Sequence, residues 1–322
     1  MTNPNSGRPV SLGKRWSVAL GRWMSVPAVL QRIVRHPLNK HRKVRSVARF
    51  LAWQIGSRLV QVQAPVIFSW VNGIRYAAHL GDTGITGNLY CGLHEYSEMA
   101  FVLHATSPDD LFVDVGANVG SYTLLACGAA GARGLAIEPI PTTYSKLVDN
   151  LRLNDLCGRV RTLNAGAGDV HGTLRFTSTW DTTNHVVGEG LAGLSGSEIE
   201  VPVHTIDELV DGARVSILKM DVEGYEFQVI QGARNTLRQA SAVIVELNGS
   251  GNRYGHTDAE VVALLRSLGY SSYRYVPEEH RIEEVGAEEM AKSPNAIFVR
   301  DVEGIRKALA RAIRYDVGGV QV

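Results

Sequence analysis

Two acidic residues near the carboxyl ends of apolar runs in the middle of the chain are the strongest sign of a ligand site. Asp114 lies within the run 111–115, and Glu138 ends a second apolar run 24 residues later. Buried parallel strands read as near-continuous apolar runs of this kind. Open α/β sheets bind ligands at the carboxyl ends of their strands. We therefore expect both carboxylates to lie at one ligand-binding edge of a parallel sheet.

The turn that follows Asp114 is not a dinucleotide fingerprint. Its sequence is Gly-Ala-Asn-Val-Gly at 116–120, so asparagine stands where Gly-x-Gly-x-x-Gly needs its second glycine. A carboxylate beside a glycine turn suits a ligand with a cationic amino-acid end and a nucleoside, and S-adenosylmethionine is such a ligand. The residues predicted to contact it from this strand and turn are Asp114, Gly116, Asn118 and Gly120.

Further cofactor contacts are expected from neighbouring elements. Glu138 has the spacing of an acid that accepts hydrogen bonds from ribose hydroxyls. Asn164 and Ala165 end the third strand, where small residues leave room for a flat adenine. Glu95 either binds the amino group of S-adenosylmethionine or only starts a helix.

Candidate catalytic residues follow the later strands. A carboxylate or a histidine can accept a proton from a substrate, and a bound metal ion can lower the pKa of the group that loses it. Asp221 is the preferred base, and Glu223 and His185 are the other catalytic candidates, although Asp221 and Glu223 could instead cap a helix. The alternative is a Mg²⁺ site formed by Asp221, Glu246 and Asn248.

A lysine on the apolar strand before Asp221 predicts an ion pair. Lys219 is flanked by apolar residues that mark a buried strand. A buried charge requires a partner. We therefore expect Lys219 to contact a neighbouring acid.

Three motifs together resemble the FkbM family of S-adenosylmethionine-dependent methyltransferases. They are Asp-Val-Gly-Ala-Asn-Val-Gly at 114–120, Ile-Glu-Pro at 137–139 and Lys-Met-Asp-Val-Glu-Gly-Tyr-Glu at 219–226. The resemblance covers about residues 85–300. It implies a class I, Rossmann-like α/β fold: a seven-stranded, mostly parallel sheet with helices on both faces. It also implies O-methylation, often of a sugar hydroxyl in a glycan, a glycolipid or a glycosylated natural product.

The chain is expected to have four segments. Residues 1–60 form a basic extension that is partly disordered and partly helical, and residues 61–105 form a hairpin and a helix that lead into the core. Residues 106–300 form the methyltransferase domain, interrupted by an insertion loop at 170–204. Residues 301–322 form a terminal helix and tail.

The charge distribution suggests an acidic partner for the extension. Residues 1–81 hold 13 Lys and Arg residues and no acid, and an apolar stripe with interspersed arginines runs along 44–59. Such a stripe either lies on an anionic membrane or packs on its own domain. The three cysteines form no C-x-x-C pair, and no apolar run reaches the ~18 residues of a membrane span. We therefore expect a cytoplasmic protein, with peripheral contact at the inner membrane face as a further hypothesis.

Two other functions remain open from the sequence. The basic segment could serve a nucleic-acid methyltransferase, but there is no Asn/Asp-Pro-Pro-Tyr motif and no aromatic RNA-binding signature, so no nucleic acid is expected. A catalytically silent module that only binds S-adenosylmethionine is the second alternative. The intact acidic set at the strand ends argues against it.

Overall fold

In the computed structural model, the chain divides into two compact units, residues 1–60 and 61–322. The structure describes residues 26–59, 65–79, 83–177, 186 and 198–322. The first unit contains helices α1 (Val26–Arg35) and α2 (Lys43–Leu59). These helices contact each other, and Ile33 and Phe50 are buried.

The apolar stripe of α2 is exposed. Val44 is 85% exposed, and Leu51 and Ile55 are 46% and 54% exposed. Arginines crowd the same helix, and burial together with the neighbouring Arg45 lowers the pKa of Arg49. The helix that the periodicity predicts is therefore present, but its apolar stripe faces solvent.

The second unit is built on strands that match most of the apolar runs. The strands are β1 (Val66–Ser69), β2 (Arg75–Ala78), β3 (Leu111–Val115), β4 (Arg133–Ile137), β5 (Val160–Leu163), β6 (Gly166–Ala167), β7 (Gly172–Thr177), β8 (Glu198–His204), β9 (Ile217–Met220), β10 (Ala242–Glu246), β11 (Ser271–Val276), β12 (Arg281–Glu284) and β13 (Asn295–Val299). Its main sheet has the order β12-β11-β13-β10-β9-β3-β4-β5.

Helices cover both faces of this sheet. They are α3 (Thr83–Cys91), α4 (Tyr96–Ala105), α5 (Ser121–Thr123, continued by a π-helical turn at Leu124–Ala129), α6 (Pro141–Leu153), α7 (Ile206–Val210), α8 (Glu226–Gln231), α9 (Arg234–Leu237), α10 (Asp258–Ser267), α11 (Ala287–Met290) and α12 (Val302–Ala310). None of the helices among the described residues is long and apolar enough to cross a bilayer.

The sheet confirms the class I arrangement and adds one strand to it. Strands β5, β4, β3, β9 and β10 are parallel, and β13 runs antiparallel between β10 and β11. Seven of the eight strands were predicted. The eighth, β12, reads Arg-Ile-Glu-Glu and has too little apolar content to be recognised as a strand.

Strand β12 forms one edge of the main sheet and carries a ladder of ion pairs. Arg281 contacts Glu279 at 2.7 Å and also bonds to Glu283. Arg274 on the neighbouring strand bonds to Glu283 and lies 3.3 Å from Glu289. The outer surface of this edge is therefore dominated by charge.

A second, smaller sheet lies beside the main one. Strands β7 and β8 pair antiparallel, and β6 joins β8 in parallel. The segment 170–204, expected to be a loop, therefore begins and ends in strands. The Gly- and Thr-rich composition hid the alternation in β7, where Leu174 is half-buried and Phe176 and Thr177 are buried.

The second unit has its core between the main sheet and the helices. Inward residues of β3, β4, β9 and β10 pack against α7, α8, α9 and α10. The β1–β2 hairpin, predicted around Asn72-Gly73, joins this body because the Trp70 indole donates to the Gly92 carbonyl at 2.6 Å. The C-terminal residues close on the same hairpin through a bridge between Val71 and Val317.

Candidate active site

The glycine turn after β3 is held between two neighbouring strands. Gly116 has a φ of +72°, and a Cβ there would lie 1.9 Å from the Asp221 carbonyl oxygen, so no side chain fits. The Gly116 and Ala117 amides both donate to the Ile137 carbonyl at 3.0 Å. The turn therefore brings the ends of β3, β4 and β9 together.

A pocket opens directly above this turn. Its empty volume is about 650 Å³, which includes the part of the pocket that is open to solvent. Of the residues predicted to bind a cofactor, Gly116, Asn118, Glu138 and Ala165 line it. The candidate catalytic residues Asp221 and Glu223 also line it.

Glu138 is a buried carboxylate at the side of the pocket. It is 6% exposed and accepts hydrogen bonds from the Asn118 amide at 2.9 Å and the Ile140 amide at 3.0 Å. Burial raises the pKa of Glu138 to about 7, although these two amides act in the opposite direction. The carboxylate is thus fixed in orientation and presents its remaining acceptor capacity to the pocket.

An apolar slot forms the adjoining wall. Ala165, Gly166 and Ala167 line it, and so do Phe176 and Val186. The last two contact each other through an isolated backbone bridge. Small residues beside an aromatic ring form an apolar wall of the kind that can contact a flat heterocycle.

Several lining residues were not identified from the sequence. Phe176 and Val186 come from the segment expected to be a loop, and no sequence signal marks them. Tyr225 lies inside the motif at 219–226, so its proximity to Asp221 could have been noticed. Thr143 stands at the start of α6, and its position follows only from the fold.

Asp114 lies beneath the pocket and not on its surface, which differs from the prediction of a direct cofactor contact. It is 1% exposed, and Thr123 donates to its Oδ2 at 2.6 Å. Its Oδ1 lies 3.8 Å from the Lys219 Nζ. The difference arises because Asp114 and Lys219 are direct neighbours on parallel strands, a relation that the sequence does not reveal.

Lys219 is the cation beneath the pocket and confirms the prediction of an ion pair. Its Nζ lies 3.3 Å from Asp221 Oδ2 and donates to the Gly116 carbonyl at 3.3 Å. Burial disfavours the charge, but Asp221 and Asp114 outweigh it and raise the pKa of Lys219. The ammonium group therefore joins the two acids to the glycine turn.

Three other predicted cofactor residues are engaged elsewhere and do not line the pocket. The Asn164 amide donates to the Glu138 and Pro139 carbonyls at 2.9 Å, so it braces the strand end. Glu95 accepts from Tyr122 at 2.8 Å and from Asn295 at 2.7 Å, just before α4 begins. Gly120 precedes α5, where a Cβ would meet Leu147 at 2.7 Å.

An acidic cluster lies beside the pocket. Asp221, Glu223 and Glu246 each place one carboxylate oxygen within 4.8 Å of the others. Burial and the neighbouring Asp221 raise the pKa of Glu246 to about 9 and that of Glu223 to about 7. A pKa of about 9 means that Glu246 keeps its proton at neutral pH.

The predicted metal set is only partly brought together. Asp221 and Glu246 are close, but Asn248 is exposed, and its side-chain oxygen accepts from the Ser250 amide at 2.9 Å. Glu223 lies in the cluster instead of Asn248. The backbone of Glu223 has a left-handed φ of +55°. His185, the remaining catalytic candidate, lies outside the described residues.

The fold and the pocket define a class I methyltransferase, and comparison with known proteins agrees. Residues 114–272 match the methyltransferase FkbM domain. Methyltransferase 1 of Beauveria bassiana is 31% identical over 191 residues, which cover 52% of this chain and 75% of that protein. The chain belongs to the FkbM family of methyltransferases.

Two further relatives carry more specific names. Hexuronic acid methyltransferase AglP of Haloferax volcanii is 30% identical over 159 residues, which cover 48% of this chain and 62% of that protein. The 31-O-demethyl-FK506 methyltransferase FkbM of Streptomyces tacrolimicus is 27% identical over 214 residues, which cover 55% and 79%. These names describe the substrates of those two proteins.

The raised pKa of Glu246 predicts a pH-dependent stability. Between its ordinary value of 4.5 and about 9, the folded state keeps a proton that the unfolded carboxyl has lost. The free energy of unfolding that Glu246 contributes is fully present below pH 4.5, and it is lost as the pH rises to about 9. We expect Glu246→Gln to lose less free energy of unfolding than the wild type between about pH 5 and about pH 9, measured by urea denaturation.

The control is Glu288→Gln, which changes an exposed carboxyl on α11. Its curve of stability against pH should run parallel to that of the wild type. If the Glu246→Gln curve also runs parallel, the acidic cluster does not hold the proton inferred for it.

Proposed function

We propose that this protein transfers a methyl group from S-adenosylmethionine to a hydroxyl oxygen of a sugar. The observation that carries the proposal is the position of the acidic cluster beside a pocket that already offers a carboxylate and an apolar slot. Membership of the FkbM family supports the methyl transfer. The names of the Haloferax and Streptomyces relatives support a sugar or another hydroxyl-bearing acceptor.

The donor is proposed to lie with its ribose at Glu138 and its adenine in the slot formed by Ala165 and Phe176. A carboxylate accepts two ribose hydroxyls well, and Glu138 is already oriented by two backbone amides. The Asn118 amide donates to this carboxylate, and Gly116 of the same turn lies against the Asp221 carbonyl. The methionine end would therefore extend along the glycine turn towards the acidic cluster.

In the proposed mechanism, the protein aligns the acceptor and removes its proton. When bound, S-adenosylmethionine supplies a sulfonium-activated methyl group that an oxygen can attack in line. Asp221 is proposed to accept the hydroxyl proton, because its carboxylate reaches the pocket and is held by Lys219 at 3.3 Å. Alignment can supply ~7–11 kcal/mol of the barrier.

The oxygens of Asp221, Glu223 and Glu246 also suit a divalent cation. Mg²⁺ prefers carboxylate and water oxygens, and it would lower the pKa of an acceptor hydroxyl. The raised pKa of Glu246 is the observation that fits such a role, because a bound cation would offset the burial and the repulsion by Asp221 that together raise it. Rates measured with Mg²⁺ and with EDTA separate this role from proton transfer to the carboxylates alone.

The donor site can be tested with Glu138→Gln and S-adenosylmethionine in a calorimetric titration. Loss of a charged acceptor should weaken the affinity by roughly 10–100-fold, the equivalent of about 1.5–3 kcal/mol for a hydrogen bond to a charged group. Glu226→Gln is the matched control, because Glu226 is also buried and accepts two backbone amides, from Val222 and Gly224, but does not line the pocket.

Equal weakening by both variants would mean that Glu138 acts only on the local fold. Absence of binding to the well-folded wild type would overturn the donor assignment. Melting temperatures of all three proteins show whether a loss of affinity reflects a loss of structure.

Catalysis can be tested with Asp221→Asn in an assay that detects S-adenosylhomocysteine. Acceptors are hexuronic acids and neutral hexoses, both free and glycosidically linked. Removal of a general base should lower kcat by about 10²–10⁴ while the donor affinity stays near that of the wild type. Asp169→Asn, an exposed carboxylate outside the pocket, should leave kcat unchanged.

If Asp221→Asn has the same kcat as the wild type, Asp221 is not the base. Methylation of a non-sugar hydroxyl without methylation of any sugar would retain the transfer chemistry and reject the sugar acceptor.

We also propose that α2 contacts an anionic membrane surface. Its exposed apolar residues Val44, Leu51 and Ile55 and its crowded arginines are the features of an interfacial helix. Attraction to anionic lipid would stabilise the charges that now repel one another.

Sedimentation with phosphatidylserine vesicles tests this contact in the full chain. The wild type should sediment at low salt, and the double variant Leu51→Ser/Ile55→Ser should bind roughly tenfold more weakly because it loses buried apolar area. Ile313→Ser, which changes an equally exposed apolar residue, should bind as the wild type does. A wild type that stays in the supernatant excludes the contact.

A further inference from the structure

Two histidines and a glutamate converge outside the pocket, on the small sheet. His171, His204 and Glu208 each place one potential ligand atom within 4.8 Å of the others. His171 lies in the turn before β7, and His204 is the last residue of β8. Glu208 lies on α7, which begins directly after His204. None of these residues takes part in the proposed methyl transfer.

The backbone fixes this convergence. Strands β7 and β8 pair antiparallel, with Gly172 opposite Val203, so His171 and His204 meet at one end of the hairpin. The Thr205 side chain accepts from the Glu208 amide at 3.2 Å and caps α7. This cap sets the position of Glu208 relative to His204.

The distances in the cluster are longer than hydrogen bonds. The shared Glu208 Oε2 lies 3.5 Å from His171 Nδ1 and 3.7 Å from His204 Nδ1. An N–H donor bonds to oxygen at about 2.7–3.2 Å. Two ligands bound to one tetrahedral ion at about 2.0–2.1 Å lie roughly 3.3–3.4 Å apart. The observed spacing is therefore closer to the edge of a coordination tetrahedron.

The ring nitrogen of His204 is a second, independent observation. His204 Nδ1 is buried and makes no hydrogen bond within the described part of the chain. A buried polar atom without a partner costs free energy that a ligand can recover. The other two residues are open to solvent, since the side chains of His171 and Glu208 are 64% and 51% exposed. An ion could therefore enter from solvent and keep a water as its fourth ligand.

We propose that His171, His204 and Glu208 bind a divalent transition-metal ion of the Zn²⁺ type. Two imidazoles and one carboxylate form a donor set that Zn²⁺ and Co²⁺ prefer, whereas Mg²⁺ and Ca²⁺ prefer oxygen ligands alone. The ion would join the turn at 169–171 to the start of α7.

The position of the site gives it a structural role. His204 pairs with Ala167 on β6, and Gly166 and Ala167 line the pocket. A metal ion that holds His204 would restrain the strand that forms one wall of the slot. Binding should therefore raise the melting temperature of the folded protein.

Titration of the EDTA-treated full chain with Co²⁺, followed by competition with Zn²⁺, tests the site. We expect visible absorption of tetrahedral Co²⁺ that Zn²⁺ displaces. Loss of a residue that only hydrogen-bonds to a metal ligand weakens metal binding by ~10–100-fold. His204→Ala and Glu208→Gln each remove a direct ligand, so each should weaken Zn²⁺ binding by at least that factor. His41→Ala, which removes an exposed histidine from the other unit, should bind Zn²⁺ as the wild type does.

Melting temperatures measured with and without Zn²⁺ give a second readout. The increase seen in the wild type should disappear in both cluster variants and remain in His41→Ala. Zn²⁺ affinity and thermal shift that are equal in the wild type and in both cluster variants would overturn the proposal, as would a wild type that binds no Zn²⁺.

Discussion

A buried lysine between two carboxylates is the interaction on which the pocket depends. An ammonium group removed from water costs on the order of several kcal/mol, which only good pairing offsets. Lys219 meets this condition through Asp114 and Asp221. Because Asp114 and Lys219 are direct neighbours, their pairing also fixes the register of β3 against β9. That register presses the Gly116 turn against the Asp221 carbonyl, so the floor and the rim of the pocket form one unit.

The sequence predicted the parts of the fold that local patterns encode. Apolar runs marked all seven strands of the class I arrangement, and the turn at 116–120 indicated the edge of the sheet where the pocket lies. Glu138 could be placed at the pocket because an acid directly after a parallel strand has few other positions. Lys219 could be expected to pair because a charge on an apolar strand needs a partner.

Cross-strand and side-chain partners set the limit of that prediction. Asp114 and Glu138 look alike in the sequence, but Asp114 pairs with a lysine on the neighbouring strand and does not line the pocket, whereas Glu138 does. Glu95 and Asn164 have partners far away in sequence that satisfy their polar atoms. The slot residue Phe176 was missed because a Gly- and Thr-rich segment resembles a loop until its two strands are seen to pair.

The ion pairs on β12 have a consequence for how the molecule meets copies of itself. An outermost strand offers unpaired amides and carbonyls that can template the addition of another strand. A strand from another molecule that added to β12 would have to desolvate Arg274, Arg281 and Glu283 before its backbone could form hydrogen bonds. The same charges that concealed this strand in the sequence thus protect the open edge of the sheet from continuing into a fibril.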